Sequence, residues 1–255
     1  MPLLLPMMSM PPITVTTEVI DAPIPLGYWG AWITLIGAGG NGVTGTHVAN
    51  ENQFVSGGGG GGGGSRIGRS FVPVSVMGST YTLSAGTTAS RFSRFISGEI
   101  GLYAGWGVLG NAGLASITAV EVSSGGTSYI VLDGQYELLP GVILNGGRGG
   151  SGGGGGAGSP LPSTGSPGGN TTNGAGGGGG GGGGGKAATG GNRAGGVGGV
   201  STGGDPVGVG NGRQGLSSTR VGNGATGGAG GGGGGAIAAT TGTLGAAGSI
   251  RIEWV

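Results

Sequence analysis

The sequence predicts an all-β fold. It reads as an antiparallel β-strand base or sandwich closed by the C-terminal strand, joined to a polyproline-II-type bundle of glycine helices, with little or no α-helix. Three observations carry this expectation. Short segments alternate apolar and polar residues with the period of two that a strand requires. Glycine occupies 77 of 255 positions and leaves no uninterrupted stretch long enough for an ordinary helix. The long glycine runs lie between strand-like segments rather than at a chain end.

Residues 1–26 read as an extended N-terminal arm ahead of a glycine-rich domain over 27–255. The arm begins MPLLLPMMSMPP, apolar but without basic residues, and Pro2, Pro6, Pro11, Pro12, Pro23 and Pro25 exclude a helix. It fits either docking onto a neighbouring subunit or a frayed terminus. Residues 27–145 are expected to be mainly strands with a glycine loop at 57–64, followed by a glycine-rich bundle at 146–248 and a closing strand at 249–255.

WGAWITLIG, 29–37, is the first strand, and its two largely apolar faces require burial. GAGGNG ends it. FVPVSVMGSTYTLSAG, 71–86, reads as two strands around Gly78-Ser79. RFSRFISGEIGLYAGWG, 91–107, has helical spacing in Phe92, Phe95 and Ile96 but four glycines, and is expected to be a loop with at most one helical turn. SITAVEV, 116–122, alternates and is rich in β-branched residues. SYIVLDGQYELL, 128–139, reads as a hairpin, because Asp133-Gly134 suits a two-residue type I′ turn. GVILNGG, 141–147, precedes the glycine field. SIRIEWV closes the chain with Ile250, Ile252 and Trp254 on one face, and is expected to pair with 29–37. Trp32, Ile36, Ile250, Ile252 and Trp254 are its candidate sheet anchors.

The glycine runs are Gly57–Gly64, Gly152–Gly156, Gly176–Gly185 and Gly230–Gly235. Collagen is excluded, since glycine does not recur at every third position with abundant proline. A flexible linker suits one isolated run. Several similar runs, separated by proline-bearing connectors and bracketed by strands, favour packed polyproline-II-type helices. Without Cβ atoms such helices approach on every side and pair their backbone groups between neighbours. The 57–64 run fits that bundle and a flexible tip equally.

Charge is sparse: 7% of residues, net +1. The first 141 residues carry four Lys/Arg against seven Asp/Glu, and the remainder six against two. Six cations over more than a hundred residues form no patch for nucleic acid. No stretch is long and apolar enough to span a bilayer, and the absence of Cys excludes disulfides and thiolate metal sites. No cofactor or metal is expected. GGSRIGRS, 63–70, approximates a phosphate loop, but a strand follows where a helix is needed. His47, the only histidine, has no acid placed beside it. Asp133 and Glu137 read as turn and solvated strand residues. An enzyme is not expected. Tyr103 and Trp106, in LYAGWG, are candidate interface or receptor aromatics, with core packing as the alternative.

AWITLIGAGGNG, SGGGGGGGGSRIGRSFVPV and GGAGGGGGGAIAATTGTLGAAGSIRIEWV together resemble the glycine-rich minor tail proteins of long-tailed, mycobacteriophage-like bacteriophages. The resemblance covers 27–255 and departs from the pattern over about 84–145. It implies a structural virion protein assembled at the tail tip, with other tail-tip proteins as partners, as a homo-oligomer, with a trimer favoured. A host-receptor-binding adhesin touching the cell envelope is the alternative. An ice-binding glycine-helix protein is the alternative from another class, though it requires flat, regular Thr or Ala faces.

Overall fold

In the computed structural model, the described residues are 10–43, 54–55, 57–87, 92–107, 115–120, 127–132, 134–139, 141–147, 149, 164–172, 175, 185–186 and 244–255. The strands are β1 (Ile13–Val15), β2 (Glu18–Pro23), β3 (Gly30–Ile36), β4 (Phe54–Val55), β5 (Arg66–Pro73), β6 (Thr80–Ser84) and β7 (Phe92–Ser97). They continue with β8 (Ile100–Gly105), β9 (Ala115–Val120), β10 (Thr127–Leu132), β11 (Gly134–Leu139), β12 (Val142–Gly147), β13 (Gly185–Lys186) and β14 (Ser249–Trp254). One turn of 3-10 helix, Val74–Val76, is the only helical element among the described residues. The protein is all-β.

Two six-stranded antiparallel sheets form a sandwich. The first runs β1-β14-β3-β5-β12-β11 and the second β10-β9-β8-β7-β6-β2. β4 and β13 form a separate two-stranded ladder. In the second sheet β6 to β10 follow one another as a meander, which short turns permit. In the first sheet the closing strand β14 lies between β1 and β3, with Ile252 opposite Ile33 and Trp254 opposite Ala31. The chain's two β-rich ends therefore meet at one edge of this sheet.

The core lies between the sheets. Ala31, Ile33, Leu35, Ile67, Val72, Leu144, Ile250, Ile252 and Trp254 come from the first sheet; Tyr81, Leu83, Phe95, Leu102 and Ala104 come from the second. Alternation explains the choice. In β14, Ile250 and Ile252 are fully buried, while the alternating Arg251 and Glu253 are partly exposed and joined at 3.2 Å. Trp254 stacks obliquely on Tyr81 across the core, centroids 5.3 Å apart.

Several segments depart from the sequence expectation. Within the expected arm, β1 pairs with β14 and β2 with β6, so residues 13–23 edge both sheets. Edge strands accept Pro23 and the bulge at Asp21, whose φ is +48°. Residues 1–9 lie outside the described residues. The strands flanking Gly78-Ser79 do not pair with each other; β5 and β6 belong to different sheets, bridged by Val74–Val76. The expected loop at 91–107 is the β7–β8 hairpin, with Ser97 opposite Ile100. It turns at Gly98-Glu99, where Gly98 takes φ +58°. Ser93, Phe95 and Ser97 face inward, a period of two that the helical spacing obscured.

The Asp133-Gly134 hairpin does not form either. β10 pairs with β9 along its whole length, and β11 pairs with β12. Between β11 and β12, Gly141 has φ +78°, which glycine adopts readily, and its N–H donates to the Glu137 carboxylate at 2.9 Å. Asp133 lies outside the described residues.

Candidate functional site

Two features stand apart from the apolar core: a glycine layer at one end of the sandwich, and a groove on the outer face of the second sheet.

The glycine layer begins where strands leave the sheets. β3 continues into 37–43, and 57–65 leads into β5; 106–107 follows β8, Gly149 follows β12, and 244–248 leads into β14. Gly37 donates to the Ser65 carbonyl at 2.8 Å, Gly40 to Gly62 at 2.8 Å, and Val43 to Gly59 at 2.9 Å. Every third residue of one segment meets every third residue of the other, in opposite directions. A β-ladder would repeat every two residues, whereas a three-residue repeat is that of a polyproline-II-type chain. Intervening residues address other neighbours. Gly39 donates to Ala246 at 2.8 Å, and Ala38 accepts from Gly107 at 3.0 Å. Segment 37–43 is thus bonded on three sides.

The approach is too close for side chains. A Cβ at Gly64 would overlap the Gly37 carbonyl, one at Gly61 the Gly40 carbonyl, and one at Gly107 the Gly62 carbonyl. Gly149 and Gly245 stand likewise against Gly63 and Gly39. Buried serines tie this layer to the sheets. The Ser93 hydroxyl donates to the Ile36 carbonyl and accepts from Gly86 N–H, and Ser65 Oγ donates to Gly105 at 3.2 Å. The 57–64 run is therefore ordered and hydrogen-bonded, with Gly58 and Gly60 to Gly64 buried. The phosphate-loop look-alike at 63–70 is the end of this layer running into β5.

Of the other expected glycine positions, Gly152, Gly156, Gly176, Gly230 and Gly235 lie outside the described residues, as does His47. Gly185 pairs with Val55. Among the anchors, Ile36, Ile250, Ile252 and Trp254 are buried. Trp32 is not in the core. It pairs with Glu253 and faces outward, half-buried, with Phe71 at 5.2 Å and the Arg69 guanidinium 4.2 Å above its ring. β3 is flanked by β14 and β5 within the sheet, so alternation sends Ala31 and Ile33 to the core and Trp32 away from it.

The groove arises from one register row. Glu18 of β2 is opposite Ser84 of β6, Ser84 is opposite Arg94 of β7, and Arg94 is opposite Tyr103 of β8. Register places these four side chains on one face as successive neighbours. Ser84 is small, so Arg94 reaches across it and its Nη2 meets Glu18 Oε1 at 3.2 Å. Phe92, one step along β7 on the same face, stands edge-on to Tyr103 and Trp106, at 6.1 and 5.0 Å. Thr16 and Thr17, in the β1–β2 turn, close one end, with Ala85 and Thr87 beyond β6. The cavity measures about 320 Å³.

No protein-family model matches the chain, and no curated protein is significantly similar to it in sequence. The site is accordingly read from its own chemistry. Among the described residues, no three or more His, Cys, Asp or Glu gather where they could hold a metal ion. No helix among them is long and apolar enough to cross a membrane. Tyr103 was singled out by the sequence and lines the groove; Trp106 supports it through Phe92. Glu18, Thr16 and Thr17 were missed because their segment reads as an arm. The signal available was the alternation of TTEVIDAP, which is broken at the bulge.

Proposed function

We propose that this chain is a structural virion protein, a minor tail protein assembled at the tip of a bacteriophage tail, and that it is not an enzyme. The observation that supports this best is the three-residue hydrogen-bond ladder between 37–43 and 59–65. It holds loops together through backbone alone, giving a rigid, side-chain-poor element suited to assembly. The resemblance of the flanking sequences supplies the tail-tip setting. In this reading the same packing extends through 146–248 as polyproline-II-type helices, and the other tail-tip proteins are its partners. Trp29, 59% exposed beside Phe71 and Trp32, is the surface we assign to contact between subunits of a homo-oligomer, a trimer in the simplest arrangement. Antibody labelling of purified virions of the encoding phage tests the reading. Label at the tail tip is expected. Virions that lack the chain altogether would overturn it.

A further inference from the structure

We propose that the groove on the outer face of the second sheet is a saccharide-binding site for a neutral hexopyranose unit. The proposal stands whether or not the chain belongs to a tail tip, because it rests only on the groove's lining.

The lining is chemically mixed in a way that disfavours both anionic and wholly apolar ligands. One wall is aromatic, from Phe92 and Tyr103. The opposite end carries the hydroxyls of Thr16 and Thr17. Between them lies the Glu18–Arg94 pair, 3.2 Å apart, whose side chains are 47% and 41% exposed. Arg94 is matched by a carboxylate, so the groove has no net positive charge to hold a phosphate or sulfate. A wholly apolar ligand would strip water from an ion pair and hydroxyls and give nothing back. A pyranose satisfies both demands. Its axial C–H face lies against an aromatic ring, and its ring hydroxyls both donate and accept. Glu18 can only accept and the guanidinium can only donate, which together suit a vicinal diol. A cavity of about 320 Å³ stands at the lower end of ligand pockets, so it fits a terminal sugar rather than the middle of a long chain.

The register supports a built site. Glu18, Ser84, Arg94 and Tyr103 come from four adjacent strands, and strand geometry fixes their spacing. A site on strands is more precise than one on loops. Trp106 packs edge-on against Phe92 at 5.0 Å, so ligand contact with Phe92 alters the surroundings of an intrinsic fluorophore.

The test uses the full chain, titrated with methyl glycosides of glucose, galactose and mannose and with their reducing disaccharides. Saturation-transfer NMR and tryptophan fluorescence report binding. At least one of these sugars should bind, with the ring C–H protons receiving the strongest transfer. Phe92→Ala and Arg94→Gln should each weaken binding at least tenfold. Ile143→Ala, at an exposed position of β12 on the other sheet, should leave it unchanged. Absence of binding by every sugar at millimolar concentration would overturn the proposal. So would binding that survives both groove variants, or binding that inorganic phosphate displaces at equal concentration. If Arg94→Gln fails to fold, Glu18→Gln replaces it, with the same tenfold loss expected. None of these outcomes bears on virion labelling, which tests the tail-tip reading separately.

Discussion

At the scale of single residues, the glycine layer makes a sharp distinction between glycines. A methyl group at Gly61 would overlap the carbonyl of Gly40, and backbone cannot swing aside. Overpacking typically costs about 1–3 kcal/mol. Replacing glycine by alanine recovers only about 0.4–1 kcal/mol from the unfolded chain. Gly61→Ala should therefore lower stability by about 1–2 kcal/mol in urea denaturation. At Gly68, in β5, the nearest atom to a new methyl is the Asn145 Cβ at 3.4 Å. Gly68→Ala should be within about 0.5 kcal/mol of the parent. Equal losses at the two positions would mean that close backbone approach is not what selects glycine at 61. Tyr81 makes a second residue-scale prediction. It is 8% exposed, and burial pushes its phenol above the usual value, only partly offset by the Trp254 indole beside it. The folded chain then holds its proton at a pH where the unfolded chain releases it. Stability from this group is full below about pH 10 and falls as pH rises from there through the folded value. Tyr81→Phe removes the titration. Its thermal midpoint should decline less than the parent's between about pH 9.5 and 11.

At the scale of elements, the β7–β8 hairpin shows what decides strand pairing in a chain this rich in glycine. Gly98 sits at φ +58°, and Gly78 packs against it, so that a Cβ on Gly78 would stand 2.8 Å from the Gly98 nitrogen. The left-handed conformation costs an ordinary residue roughly 1–2 kcal/mol. Gly98→Ala should therefore destabilise by at least about 1 kcal/mol, and Gly98→Asn, which tolerates that conformation, by less. Equal losses for the two, measured by denaturation, would show that crowding against Gly78 rather than φ sets the cost. The same hairpin marks the limit of the sequence. β3, β9, β12 and β14 were legible because their side chains alternate or are uniformly apolar. β7 and β8 were not, because the small inward residues Ser93, Ser97 and Ala104 interrupt the apolar signal of Phe95 and Leu102. The two-residue pair Asp133-Gly134 read as a hairpin because local turn chemistry looked sufficient. The chain instead turns between β11 and β12, where Gly141 holds φ +78°. In the groove, Tyr103 was legible by residue type alone. Its neighbours Glu18 and Arg94 become neighbours only through the register of four strands, which no segment encodes by itself.

At the scale of the whole molecule, the question is whether the glycine layer folds with the sandwich or rides on it. Each layer segment is a direct continuation of a sheet strand, and the joints are buried: Ser93 bonds the end of β3 at Ile36 and the backbone at Gly86, and Gly248 donates to Gly86 at 2.8 Å. Glycine loses more conformational freedom on ordering than any other residue, so an unsupported layer would open by itself at little cost. The hydrogen bonds of the layer run between segments that are far apart in sequence, and each segment is held on more than one side. Opening one segment leaves buried donors and acceptors unpaired on its neighbours, at about 1–3 kcal/mol each. Several such losses together match the roughly 5–15 kcal/mol total stability of a domain, which makes partial opening as costly as global unfolding. Native-state hydrogen exchange should therefore give the amides of Gly37, Gly40, Gly107 and Gly248 the same opening free energy as those of Ile33 in β3 and Ile252 in β14. Exchange of the four glycine amides several orders of magnitude faster than the strand amides would instead make the layer a separate, weaker unit. Its three-residue ladder would then be a consequence of the strands converging, not part of what holds the sandwich closed.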